Sequence, residues 1–412
     1  MNNKEKLQKY LQRIIRQLAV WTLRKYDPGI IAVTGSVGKT STKEAIYTVL
    51  KNHRKVRRNS GNFNNEIGVP LTILGDWDKI AGKYFWLKVV LVSCLRFIVR
   101  WRYPELLILE YAADKPGDIK YLLDIAKPQV GIVTAIGDIP VHVEFYSGPE
   151  AVAREKAKII ETLSATGFAI LNFDDETVFN LRDRTRSHLM YYGFGEGATM
   201  RITNFEARME GGRPGGISFK LNYGGSFVPV RLDGCFGKAQ AYAAAAAACV
   251  GIAFGLNLVK IAEALLEYEA PPRRGKLVAG VKHTWIIDDT YNASPLSMEA
   301  AIHTAESLKA KRKLAVLGDM LEIGKYTLEA HQHIGELVPK VFDFLVTVGA
   351  RAKFIAEGAN QSGMAQKNIF SFDTAEEAGK AVQDLMRTGD LLLVKASRGI
   401  QLDKVVEEIR QM

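Results

Sequence analysis

The sequence predicts an α/β protein with two sheets, a larger and mainly parallel one followed by a smaller, doubly wound one. Three observations carry this. The β-branched run Ile30 to Val33 reads as a buried parallel strand, and it stops at a glycine loop that opens a helix near Thr40. Similar apolar runs of strand length recur at Leu106 to Leu109, Val130 to Thr134 and Phe168 to Leu171. Beyond the segment Pro271-Pro272-Arg273-Arg274-Gly275-Lys276, strands at 283–288, 313–318, 343–348 and 390–395 alternate with helices at 295–308, 326–339, 374–387 and 401–411. That alternation predicts a C-terminal Rossmann-like α/β domain, with 271–276 as its linker.

Composition sets the bounds. A chain of 412 residues, 47% apolar and 24% charged, has room for two or three packed domains and excludes bulk disorder. Cys94, Cys235 and Cys249 have no zinc or CxxC spacing, so no structural metal is expected and a reducing, cytoplasmic setting fits. No secretory signal is evident at the N-terminus. The net charge of +10 points to an anionic partner without choosing among nucleotide, nucleic acid and anionic lipid. The motifs choose nucleotide, and no nucleic-acid partner is expected.

In chain order, residues 3–26 predict a basic amphipathic helix. Leu7, Leu11, Ile14, Ile15, Leu18 and Trp21 recur at helical spacing among Lys4, Lys6, Lys9, Arg13, Arg16, Arg24 and Lys25. Two readings stand: a helix packed on the catalytic domain, or one lying on an anionic membrane surface. The loop Gly35-Ser36-Val37-Gly38-Lys39-Thr40-Ser41 follows the first strand. Backbone N–H groups at a helix start favour phosphate, a lysine there reaches the outer phosphates, and a following threonine hydroxyl suits Mg²⁺. The spacing departs from the standard P-loop, whose first glycine would fall on Val33. Next comes Ser60-Gly61-Asn62-Phe63-Asn64-Asn65-Glu66-Ile67-Gly68-Val69-Pro70, which resists helix and strand and predicts a structured polar loop.

Together, TGSVGKTSTKE and GNFNNEIGVP resemble the Mur ligases, ATP-dependent amide-forming enzymes of peptidoglycan synthesis. The resemblance runs from about residue 28 to the end. It implies domains at 28–270, binding ATP, and 271–412, after an N-terminal helix at 1–27. ATP falls to Gly35, Ser36, Val37, Gly38, Lys39, Thr40 and Ser41. The amine and acid substrates fall near Asn62, Asn64 and Asn65.

Residues 83–103 are apolar for about a dozen positions but interrupted by Lys88 and Arg96, too charged for a comfortable spanning helix. Against the family this stretch, within 80–104, is an insertion. It reads either as a core helix, covered by the N-terminal one, or as an interfacial helix. Glu110 ends the next strand, before Tyr111-Ala112-Ala113-Asp114-Lys115-Pro116-Gly117, where a Mg²⁺ ligand sits beside a phosphate loop. The resemblance implies a first Mg²⁺ at Thr40 and Glu110. It implies a second at His142 and Lys156, with Lys156 carbamylated by CO₂ within Val152-Ala153-Arg154-Glu155-Lys156-Ala157-Lys158. Carbamylation needs a neutral amine, so the site must lower the lysine pKa. The family's following acid is Lys158 here.

Residues 200–230 predict antiparallel strands, and the alanine-rich 239–253 a closely packed helix. Relatives contact adenine through a His and an Asn just before that helix. This chain has Gly234-Cys235-Phe236-Gly237-Lys238-Ala239-Gln240, leaving Phe236 as a ring able to stack on the base. In the last domain, Asp288-Asp289-Thr290-Tyr291-Asn292, Asp319-Met320-Leu321-Glu322 and Lys395-Ala396-Ser397-Arg398 match the family. By resemblance Asp289 and Asn292 close over ATP, and Asp319, Glu322, Lys395, Ser397 and Arg398 hold substrate. Arg274 or Lys276 meets the γ-phosphate. His331 and His333 stand on different helix faces and are no metal pair.

Catalysis is therefore expected to rest on Lys39, Glu110, His142 and Lys156. The implied reaction joins a nucleotide- or lipid-linked carboxylate to an amino acid or dipeptide amine such as D-alanyl-D-alanine. Relatives also begin with a domain of roughly a hundred residues that grips UDP; here one helix precedes the loop, so the acceptor is expected to be held differently. The alternatives are the same chemistry on a lipid-linked or non-murein acid, and a P-loop ATPase or membrane-tethered binding protein without ligase turnover. Cytoplasmic placement is expected, and the two basic segments leave two readings open: peripheral attachment to the inner face of the membrane, or packing of the two helices on each other in a soluble enzyme or dimer.

Overall fold

A computed structural model describes residues 3–411 apart from 62, 78, 81, 83, 100 and 212, with side chains from residue 10 onward. Nine strands form the first sheet: β1 (Gly29–Thr34), β2 (Val56–Arg58), β3 (Leu106–Glu110), β4 (Val130–Val133), β5 (Phe168–Asn172), β6 (His188–Gly193), β7 (Met200–Glu210), β8 (Arg213–Tyr223) and β9 (Ser226–Asp233). Their order is β2-β3-β1-β4-β5-β6-β7-β8-β9. Pairing is parallel from β2 to the start of β7 and antiparallel through β7, β8 and β9. The order turns back at β1, which lies between β3 and β4. Ligands bind an open α/β sheet at the carboxyl ends of strands flanking such a point.

Strand β1 shows why this sheet is apolar on both sides. Successive side chains point to opposite faces. Ile31 and Val33 pack with the helices Lys39–Leu50 and Lys238–Ala253. Ile30 and Ala32 pack on the other face with Ile15, Val69 and Ala157, from three further helices. Ala243 to Ala248 are all buried, and their small side chains let that helix lie close to its neighbour.

The second sheet contains β10 (Lys276–Gly280), β11 (Thr284–Asp288), β12 (Arg312–Gly318), β13 (Phe344–Val348), β14 (Ile369–Phe372) and β15 (Asp390–Lys395). Its order is β10-β11-β15-β12-β13-β14, parallel except for β10 against β11. Two strands and the helix Lys353–Gln361 escaped the sequence reading. β14 buries only the first of its four residues, so it carries no apolar run. β10 starts at Lys276, so the proline-rich linker turns directly into a strand, bridged to Cys235.

The polar loop is shorter than its composition predicts, because a helix begins at Gly68. Asn65 Oδ1 accepts from the Ile67 and Gly68 amides at 3.2 and 2.9 Å, ordering the turn that enters that helix. A Cβ at Gly68 would lie 2.3 Å from Phe63 Cα, an approach only glycine permits.

The two basic segments form the helices Asn3–Tyr26 and Phe85–Ile98, and they touch. Lys25 Nζ donates to the Arg96 and Phe97 carbonyls at 2.7 Å each, satisfying the free end of the second helix. Trp21 meets Phe97 edge-on at 6.0 Å, and Tyr26 stacks on Tyr103 at 4.5 Å. Among the described residues, no helix is long and apolar enough to cross a membrane.

Candidate active site

The phosphate loop sits between β1 and β4. Gly35 has φ +143°, and a Cβ there would lie 2.0 Å from Thr134 Oγ1. Gly38 has φ +89° and starts the helix Lys39–Leu50, whose first turn has no side-chain cap. The open amides expected of a helix start are therefore available to an anion. The cradle is narrower than the sequence suggested, because the Ser36 and Val37 amides donate to the Ala135 carbonyl at 2.6 and 3.0 Å. Lys39 Nζ folds over the loop onto the Gly35 and Ser36 carbonyls at 2.9 and 3.3 Å. Burial lowers its pKa, with Arg274 acting the same way and Glu110 and Asp114 opposing. The Ser36 hydroxyl is buried without a partner among the described residues.

Glu110 is 1% exposed at the end of β3. Its Oε2 accepts from Thr40 Oγ1 at 3.0 Å and its Oε1 from Asn64 Nδ2 at 3.0 Å. Burial alone would raise its pKa; Lys43, Lys39, Arg274 and the Asn64 bond outweigh that and hold it low. Lys43 was missed from the sequence. It is wholly buried, donates to the Asn59 carbonyl at 2.8 Å, and stands 3.8 Å from Glu110. Its only local signal is the spacing of four from Lys39, which puts both on one helix face. Asn59 completes the cluster by accepting from the Glu110 amide at 3.0 Å. A carboxylate, a hydroxyl and an amide oxygen are hard donors, which suits Mg²⁺ at Thr40 and Glu110.

Lys156 is 2% exposed on the helix Pro149–Glu161. Among the described residues its amine has no hydrogen bond or ion pair. Burial pushes its pKa down to about 7, helped by Lys39 and opposed by Asp114, Glu155 and Asp118. Half of such an amine is neutral near pH 7, the state carbamylation requires. Lys158 pairs with the buried Glu155 at 2.6 Å. Glu155 also accepts from the Ile119 amide at 3.0 Å.

His142 has φ +68°. Its Nε2 lies 3.3 Å from Asp114 Oδ1 and its Nδ1 2.8 Å from Glu322 Oε2, though Nδ1 makes no well-aligned hydrogen bond. The His142 contact holds the Glu322 carboxyl below its ordinary pKa. Asp114, also missed from the sequence, thus touches His142 and acts on the charges of both Lys39 and Lys156. Among the described residues there is no group of three or more His, Cys, Asp or Glu placed to hold a metal ion.

The second sheet brings its own groups to the same cleft. Arg274 stacks over the Tyr291 ring at 4.0 Å and lines a cavity with Ser36, Val37, Gly38, Asp289 and Asn292. Lys276 is in β10 and outside that lining. Lys395 is 2% exposed and bonds Asp289 Oδ2 at 2.5 Å and the Asn292 carbonyl at 2.9 Å. Asp319 faces its own sheet, accepting from the Arg351 and Ala352 amides at 3.0 and 2.7 Å. Ser397 accepts from the Leu321 amide at 2.8 Å, which orders the loop carrying Glu322. Arg398 is exposed. Asn62 lies outside the described residues.

A larger cavity, about 1140 Å³, runs between the helix Lys238–Ala253 and the helix Pro295–Ser307. Asp174 on its wall accepts from Tyr242 Oη at 2.8 Å and from the Phe194 and Gly195 amides at 2.6 and 2.9 Å. Phe236 is 3% exposed and shares a core with Ile287 and Met298, while also lining the cavity that holds Ser36, Gly38 and Arg274.

Sequence profiles match at both sheets: the Mur ligase middle domain at 33–81 and 92–251, and the Mur ligase glutamate ligase domain at 273–398. The chain belongs to the Mur ligase family. One relative, UDP-N-acetylmuramoyl-tripeptide–D-alanyl-D-alanine ligase of Bacillus subtilis, is 31% identical across 96% of this chain and 79% of its own. Its Mycobacterium tuberculosis counterpart is 31% identical across 92% and 72%. Among solved structures, MurF ligase of Thermotoga maritima in complex with ADP superposes with a TM-score of 0.80 at 28% identity, covering 96% of this chain and 83% of that one. As a Mur ligase, the chain is an ATP-dependent enzyme that forms a C–N bond.

Proposed function

We propose that this Mur ligase joins a UDP-linked muramoyl tripeptide, through its terminal carboxylate, to D-alanyl-D-alanine. The support is the set of relatives that carry this activity in their names and align with nearly the whole chain. The observation that carries the chemistry is Glu110: a buried carboxylate bonded at once to Thr40 of the phosphate loop and Asn64 of the polar loop.

ATP binds with its outer phosphates on the first-turn amides of Lys39–Leu50, where Lys39 swings from the loop carbonyls to the phosphate oxygens. Thr40 and Glu110 would hold one Mg²⁺, and His142 with a carbamylated Lys156 a second; such ions would neutralise charge at the phosphoryl group. A substrate carboxylate oxygen bonds to the γ-phosphorus as ADP leaves, giving an acyl phosphate. The amine of the dipeptide then bonds to the acyl carbon, loses a proton, and expels phosphate. Lys39 and Arg274 offset the charge that develops in both steps. Arg274, just before β10, and the Asp289–Lys395 pair at the strand ends of the second sheet line one cavity with the phosphate loop, so apposition of the two sheets completes the site and excludes water from the acyl phosphate.

Carboxylate labelled with ¹⁸O tests the acyl phosphate directly. One labelled oxygen is expected in the released phosphate; unlabelled phosphate would exclude this route.

A further inference from the structure

We propose that the helix Phe85–Ile98, together with the outer stripe of Asn3–Tyr26, docks the enzyme onto the surface of an anionic lipid bilayer. The helix is turned the wrong way for a soluble surface. It buries Phe85, Val89 and the polar Ser93, with the Ser93 hydroxyl turned back onto the Val89 carbonyl at 2.7 Å. It presents Tyr84, Leu87, Leu91, Leu95 and Ile98 outward, positions spaced three and four apart and therefore on one face. Tyr84 is 78% exposed and Ile98 82%. Val99 and Trp101 extend the stripe past the helix end. The first helix adds Tyr10, Ile14 and Trp21, also exposed and also along one face, and Trp21 joins the two stripes through Phe97. A contiguous apolar surface of this kind marks an interaction site rather than ordinary exposed side chains.

Charge chooses the occupant. Residues 79–104 contain six Lys and Arg and no Asp or Glu. Residues 3–26 contain seven Lys and Arg against Glu5 alone. Lys79, Lys88 and Arg102 are exposed near the helix, as are Arg13 and Arg24 beside the first stripe. Acids stand at the edges, Asp76 and Glu105 beside the second helix and Glu66 bonded to Gln12 of the first, but cations outnumber them along both stripes, which complements an anionic headgroup layer over an acyl boundary and disfavours the like surface of a second copy. Fourteen residues with Lys88 and Arg96 inside them rest in the interface plane and do not cross it. The attachment is independent of the amide chemistry and adds a location to it.

The test is co-sedimentation of the full chain with vesicles of equal parts phosphatidylglycerol and phosphatidylcholine, against pure phosphatidylcholine. Binding to the anionic vesicles is expected at low salt. It should fall on the order of tenfold or more near 1 M salt, where the Debye length shrinks to about 3 Å. The double variant Leu91→Glu, Leu95→Glu should bind at least roughly 100-fold more weakly. It alters only exposed positions, so melting temperature and phosphate release without vesicles should be unchanged. No binding of the wild type at low salt would overturn the proposal, and so would equal, salt-insensitive binding to neutral vesicles. A solution dimer that Leu91→Glu dissociates would overturn it too, because the stripe would then face a second copy.

Discussion

Thr40, on the first turn of the phosphate-loop helix, donates its hydroxyl to Glu110 at the end of β3 across 3.0 Å. This contact ties the phosphate loop to the neighbouring strand, and Lys43 and Asn64 complete it from two further directions. Both oxygens of a buried carboxylate are thereby occupied and its charge is kept.

Lys43→Met removes the nearest cation from that carboxylate. Leaving one partner of a buried pair uncompensated costs about 3–5 kcal/mol. The expected outcome is a lowered melting temperature together with weaker ATP turnover, read by thermal denaturation and phosphate release. Wild-type behaviour in both would remove Lys43 from the cluster.

Lys39→Ala should leave the fold intact, since the lysine bonds only loop carbonyls here. Turnover should fall on the order of 100- to 1000-fold, the cost of one lost charge-stabilising donor. Circular dichroism and phosphate release check the two halves of the claim.

Lys156→Ala should abolish most activity, and short carboxylates should restore part of it by standing in for the carbamate oxygens. The wild-type enzyme in ¹³CO₂ should show a carbamate carbon resonance that the variant lacks. Full activity of the wild type in CO₂-depleted buffer, with no such resonance, would refute the modification.

Asp390→Ala probes the second sheet alone. Arg312 grips Asp390 through two bonds, at 3.0 and 2.6 Å, and Asp390 is 2% exposed. Losing it should cost about 3–5 kcal/mol, read as a lower denaturant midpoint. An unchanged midpoint would show the pair to be energetically neutral.

What the sequence made legible was what is encoded by adjacent residues. Ile30 to Val33 and the glycines after it specify a strand, a turn and a helix start within a dozen positions. Lys43 and Asp114 escaped because nothing local distinguishes them from surface charges; only the packing of the helix Lys39–Leu50 on β3, and of the loop after β3 on His142, gives them partners. The direction of the loop amides escaped for the same reason, since the Ala135 carbonyl that takes two of them is a hundred residues away. Phe236 reads as a free aromatic in a polar context, yet it shares a core with Ile287 of β11 and Met298 of the helix Pro295–Ser307. The segment 83–103 announced a helix by its period, but which face it turns outward depended on the first helix and on the loop after Leu74.

Release of phosphate from ATP, with acid and amine supplied separately and together, tests the central claim most directly. The account predicts release only when UDP-linked muramoyl tripeptide and D-alanyl-D-alanine are both present, with one amide product, heavier by the dipeptide less one water, for each phosphate. Phosphate released at the same rate without the dipeptide, and no such product by mass, would contradict it.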